Sequence, residues 1–334
     1  MRYLSPASLP DSPLINPSDK KSFQLQKKKL LAELELSATG EITINDRTLS
    51  KNDILQFFET LEDETILRYH EAVSKDKTLT AFLENSRLPD DASFAQSSLY
   101  DDPGFLQWIS PYFYTAFTEY AKYCLQNNDE YGLRNLLRNR LLLLEYDRER
   151  AWFEIGQVLE NNLARLEKYQ EEANRKNRKP DIAGVSALAS DTLTRMILQL
   201  PKDQFSRVRD NYAFTVMQLS ILLFNKARFK RDLAASWLYN AKTLAASESR
   251  HNQVVAKGYE MDNIRKKGER NLGIRAVVVI TIVILRVITS TAGCNSHGTT
   301  STRVYTKLIK TPCATCPLPG SSTANFPRVS TPKP

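Results

Sequence analysis

The chain is poor in the residues that most enzymes use to handle phosphates, metals and protons. Its 334 residues include only 11 glycines, and no Walker loop, dinucleotide fingerprint or G-x-S-x-G elbow occurs. Phosphate-cradling loops need glycine where backbone approaches the anion, so nucleotide-dependent chemistry has little material here. Histidine is scarcer, with three in the whole chain and no H-E-x-x-H. A carboxylate-bridged metal centre inside a helical bundle needs two Glu-x-x-His pairs on facing helices. Only Glu248 with His251 has that spacing, because Leu67 stands three positions before His70. Both histidines are therefore expected on helix faces without a metal.

Cysteine and acid are absent in blocks. Cys124 is the one thiol before residue 294, which suits a body kept in a reducing cytosol. Beyond residue 270 there is no Asp or Glu, while seven Lys and Arg occur, leaving 39 basic against 38 acidic residues over 1–270. The formal charge of +8 thus belongs to the tail. The body gives no overall electrostatic case for nucleic acid as a partner. At the start, "MRYLSPASLPDSPLINPSDKKS" has prolines and no continuous apolar core, so no secretory signal is read there.

What the chain does have is helical periodicity, on 42% apolar residues, enough to fill a sizeable core. Residues 1–19 carry four prolines and read as a disordered leader. Lys20 to Leu36 follow a helical pattern, and "EITINDRTL" (41–49) reads as the one β-hairpin, turning at Asn45-Asp46. Ser50 is an N-cap with Asp53 as a variant capping box, ahead of the apolar residues Ile54, Leu55, Phe57, Phe58 and Leu61. Asp102-Pro103 and Ser110-Pro111 each place a capping side chain before proline, predicting two successive helices. Further helices are predicted over about 129–144, 147–173, 185–200, 203–225, 229–247 and 249–270. Trp152, Ile155, Leu159, Leu163 and Leu166 form one inward stripe, as do Tyr212, Val216, Leu219 and Leu223, and Leu233, Trp237, Ala241 and Leu244. A helix-pair repeat is not supported: a shift of about 34 residues upstream from Ala234 lands on the boundary at Leu200-Pro201. The predicted fold is all-α, a multi-helix bundle or irregular helical solenoid with one short β-hairpin. "NRKNRKPD", ending at Asp181, divides the body into regions 20–179 and 180–271.

The densest aromatic cluster runs from Phe105 to Tyr123. Helical spacing turns part of it inward, yet Trp108, Tyr112, Tyr114, Phe117 and Tyr120 are the candidate partner-binding residues. Two basic clusters, Arg175 to Lys179 and Lys226 to Arg231, fall at predicted helix ends, where cations complement the helix dipole and remain solvated.

The apolar run Ala276 to Leu285 is half the length that a helix needs to span a bilayer. Extended over 272–292 it admits Arg275 and Arg286. Its apolar side chains contribute about −4 to −5 kcal/mol to insertion, and Arg286 opposes that by about 2.5 to 3. With Arg275 and the threonines added, the sum is close to zero. The alternative is a buried strand, since the run is rich in β-branched residues. Downstream, Cys294-x2-His297 and Cys313-x2-Cys316 have the spacing of a four-ligand zinc module. A shifted reading frame would produce the same abrupt change of composition after about residue 271.

The expected protein is a non-catalytic helical scaffold or adaptor that binds a protein partner. It is anchored by a single transmembrane segment at 272–292, with its body cytoplasmic and a disordered Ser/Thr/Pro/Cys-rich tail over 293–334. One alternative is an enzyme with an Asp/Glu/Tyr site in a helical cavity near Tyr69, His70 and residues 100–123. The other is a zinc-binding C-terminal module associated with nucleic acid. No cofactor other than that zinc is expected.

Overall fold

A computed structural model describes residues 2–6, 20–44 and 47–267. The hairpin turn, the membrane segment 272–292, the tail 293–334 and the zinc ligands Cys294, His297, Cys313 and Cys316 lie outside the described residues. The described chain is mostly helical, with one short antiparallel hairpin. In order its elements are α1 (Lys20–Leu36), β1 (Glu41–Ile44), β2 (Arg47–Ser50), α2 (Lys51–Thr60), α3 (Glu64–Lys75), α4 (Lys77–Asn85), α5 (Pro103–Asn127) and α6 (Glu130–Arg138). There follow α7 (Glu145–Arg175), α8 (Ile182–Leu188), α9 (Asp191–Gln199), α10 (Lys202–Lys226) and α11 (Arg231–Leu244). A further helical run covers 248–267 and is labelled α12.

The hairpin pairs Ile42 with Leu49 and Ile44 with Arg47. A two-stranded ribbon of this length needs a helix to lie on. It shares a small core with α1 and α2, in which Phe23 meets Phe58 edge-on at 5.1 Å and Ile54 and Leu49 are buried. Ser50 forms the full capping box: its hydroxyl accepts from Asp53 N, and the Asp53 carboxylate accepts from Ser50 N at 2.9 Å. Residues 2–6 fall within the stretch expected to be disordered, yet Tyr3 and Ser5 are buried.

Helices α3 and α4 were not read from the sequence. They meet at Asp76, which is 5% exposed and holds three donors. Its carboxylate accepts from Leu79 N at 2.9 Å, from Ala95 N at 2.7 Å and from the Tyr100 hydroxyl at 3.0 Å. One side chain thus caps α4 and fixes the irregular segment beyond it.

Several predicted boundaries move: the helix expected over about 129–144 stops at Arg138, and two others shift for reasons the side chains make plain. Ser110-Pro111 does not start a helix; α5 runs through it with Pro111 inside. The Ser110 hydroxyl turns to α7, donating to Asp147 and accepting from Leu144 N at 2.9 Å. It stabilises the start of a neighbouring helix, and packing of Phe117 against Trp152 on that helix offsets the hydrogen bond that Pro111 cannot donate. Conversely, the predicted helix 185–200 breaks at Ala189-Ser190. Buried donors satisfy the carbonyls that the break frees: Tyr212 donates to Leu188 O at 2.8 Å and Asn240 to Ala189 O at 2.9 Å. Ser190 then caps α9 by accepting from Leu193 N.

The main core is continuous from α3 to α12, including both sides of Pro180. Phe117 on α5 meets Trp152 on α7 at 5.2 Å, and Trp152 meets Phe205 on α10 at 6.0 Å. All five residues of the predicted α7 stripe are buried. Helices α7 and α10 run in the same direction, since Trp152 and Phe205 touch near their starts and Asn177 and Lys226 touch just past or at their ends.

Candidate functional site

Of the five aromatic candidates, α5 turns three inward. Phe117 is fully buried, Tyr120 is 3% exposed and Tyr114 is 9% exposed. The Tyr120 hydroxyl donates to Leu88 O at 3.1 Å, and Tyr114 donates to Glu154. Burial, together with the Glu154 carboxylate, pushes the Tyr114 hydroxyl up to about 12. These three side chains hold α5 to its neighbours. Trp108 and Tyr112 are half-buried and stand apart from them, packed on Tyr3.

Around Tyr3 lies a small cavity that also admits His70, Phe57, Asp53 and Arg2. His70 is 6% exposed, with Trp108 at 4.8 Å and its Nδ1 sharing a 2.8 Å hydrogen bond with the Tyr3 hydroxyl. Burial lowers its pKa to about 4, so the ring is neutral at pH 7. The expectation of a helix-face histidine gives way here to a core one, because the N-terminal residues cover it. The cavity holds about 110 Å³, well below the roughly 300–1,000 Å³ of small-molecule sites. Cys124 is likewise sealed in the core, its thiol pushed up to about 12 by burial and by Asp129 beside it. A thiol in that state is a packing group.

A larger concavity, about 290 Å³, lies between α11 and α12. The sequence reading marked the inward stripe of α11 but not this groove. Asp210 on α10 creates it by fixing the turn between the two helices, accepting from Ala246 N at 2.7 Å and Ser247 N at 3.1 Å. Burial opposes the Asp210 charge, but the Ser247 hydroxyl together with the backbone N–H groups of Ser247 and Ala246 outweighs it and holds the carboxyl below its usual range. The returning helix meets α11 closely: a Cβ added at Gly258 would stand 3.5 Å from Leu238. Leu238, Val254 and Met261 form the buried floor, while Tyr239 and Tyr259 flank it, each 68% exposed. The rim carries Arg231, Lys242 and Arg265 against Asp262, an excess of positive charge. Arg231 lies over the Phe224 ring at 4.5 Å, and Arg265 pairs with Asp232 at 3.4 Å. The available signal was the pair of tyrosines, which fall off the apolar stripes of otherwise regular amphipathic helices.

Glu248 and His251 stand at the start of α12, and among the described residues no group of three or more His, Cys, Asp and Glu could hold a metal ion. Among the described residues, too, no helix is long and apolar enough to cross a membrane. No family model, no curated protein and no solved structure matches the chain.

Proposed function

We propose that the protein is a non-catalytic helical adaptor, held at a membrane by residues 272–292 with its body in the cytoplasm, and that it binds a protein partner in the α11–α12 groove. The observation that carries this reading is the groove itself. An apolar floor flanked by two exposed tyrosines and a basic rim has the features of a helix-in-groove site. The partner is accordingly an amphipathic helix with acidic residues beside its apolar stripe, which would complement Arg231, Lys242 and Arg265. Anchoring adds to this by raising the local concentration of whatever is bound. Support for the anchor comes from the sequence: the near-zero insertion balance of 272–292 and the basic flank Arg265 to Lys267 that precedes it.

A displayed library of helical peptides, selected on the full chain in mild detergent, tests the groove. Enriched peptides should be amphipathic, rich in Asp and Glu, and lost when Leu238→Asp or Lys242→Glu is used as bait. Peptides that share no acidic amphipathic pattern, or that hold both variants as well as the native chain, would refute this assignment.

A further inference from the structure

The fold brings together basic segments that are remote in sequence. Because α7 and α10 run the same way, the loop after α7 and the turn after α10 meet at one end of the body, where Lys226 Nζ donates to Asn177 Oδ1 at 2.5 Å. The end of α12 joins them through Arg265 and Asp232 at 3.4 Å. Segments 175–179, 226–231 and 265–267 carry eleven Lys and Arg between them; of the bordering carboxylates, Glu172 pairs with Lys176 at 3.6 Å and Asp232 with Arg265, which leaves the cations in excess. Helix dipoles account for a cation or two at each helix end. They do not account for Phe229. This side chain projects from the 3₁₀ turn Arg228–Lys230 and is 102% exposed, as open as an isolated residue, with cations on either side of it in the chain.

We infer that this end of the body docks on an anionic bilayer surface, with Phe229 entering the headgroup region and the surrounding cations facing lipid phosphates and carboxylates. Apolar insertion flanked by Lys and Arg is the chemistry of interfacial membrane binding. A nucleic acid would satisfy the charges, but a fully projecting Phe with a cation on either side is the pairing that headgroup insertion uses. The inference extends the proposed membrane location but uses different residues from the span at 272–292, so the two can fail separately.

The test uses the purified full chain and its Phe229→Trp variant, floated with vesicles of phosphatidylcholine alone or with about one third phosphatidylserine. Brominated acyl chains should quench the introduced indole in anionic vesicles, measured above the baseline of the native tryptophans. The combined variant Arg178→Gln, Lys179→Gln, Arg228→Gln and Lys230→Gln should abolish that quenching. Near a charged surface each cation contributes about fivefold in affinity, so together these four should weaken binding by roughly 600-fold if they act independently. Phe229→Ala should weaken it roughly five- to tenfold. Circular dichroism checks that the variants fold. Quenching in anionic vesicles by a chain that ignores neutral ones would support this contact and sink the anchor. Flotation without quenching at position 229 would overturn the contact while leaving the anchor standing. If an RNA oligonucleotide binds through the same four cations more tightly than the vesicles do, the lipid assignment is overturned in favour of nucleic acid.

Discussion

Acid should destabilise the body through one residue, His70, well before its carboxylates titrate. Its ring is buried among Tyr3, Phe57 and Trp108, with Arg2, Asp53 and Tyr112 facing the same cavity, and burial lowers its pKa from 6.5 to about 4. Between those two values the unfolded chain binds a proton that the folded chain refuses. Stability therefore falls as pH falls, by about 1.4 kcal/mol per pH unit at most, and the loss saturates below the folded value. Integrated from about pH 7.5 to about pH 4.5, the shift removes roughly 2.5 kcal/mol, most of it below pH 6.5. Urea unfolding followed by far-UV circular dichroism, at several pH values, measures this directly. The variant His70→Gln supplies the reference, because every other titrating group is common to both chains. It should start less stable at neutral pH, since the Tyr3 contact is altered, and then lose about 2.5 kcal/mol less than the native chain on acidification. If the two curves stay parallel within about 0.5 kcal/mol across that range, the account of His70 as a buried neutral group is wrong.

Three further outcomes are expected. Asp76→Ala leaves Leu79 N, Ala95 N and the Tyr100 hydroxyl without their acceptor and should cost about 2–4 kcal/mol in urea unfolding, whereas Asp76→Asn should recover part of that. Two glycine-to-alanine changes should move in opposite directions in thermal unfolding. Gly258→Ala puts a methyl in ordinary contact with Leu238 and should stabilise α12 by up to about 1 kcal/mol, while Gly184→Ala places one 2.5 Å from the Tyr169 ring and should destabilise α8. The anchor predicts that the full chain stays in the membrane pellet through alkaline carbonate extraction, and that Arg286→Leu strengthens retention by removing a cost of about 2.5 kcal/mol. Complete release of both chains into the supernatant would eliminate the anchor.

Local rules made the helical class and the hairpin legible from the sequence. The capping box at Ser50, the proline after Asp102 and the alternation of Ile42 and Ile44 each act over a few residues, so nothing distant is needed to read them. The inward stripes of α7 and α10 were legible for the same reason, because a period of 3.6 specifies a face whatever lies against it. What lies against that face is decided only on folding. Ser110 has the same local credentials as a helix start that Asp102 has, yet a contact with α7 recruits its hydroxyl and the helix continues. The break at Ala189 is held by Tyr212 and Asn240, donors more than twenty residues away. His70, expected on a helix face, is a core group because Tyr3 covers it. The candidate surfaces follow the same division: composition revealed each basic segment and each tyrosine singly. Their union into a groove and a charged end depends on the directions in which α7, α10, α11 and α12 run, and long-range packing fixes those directions.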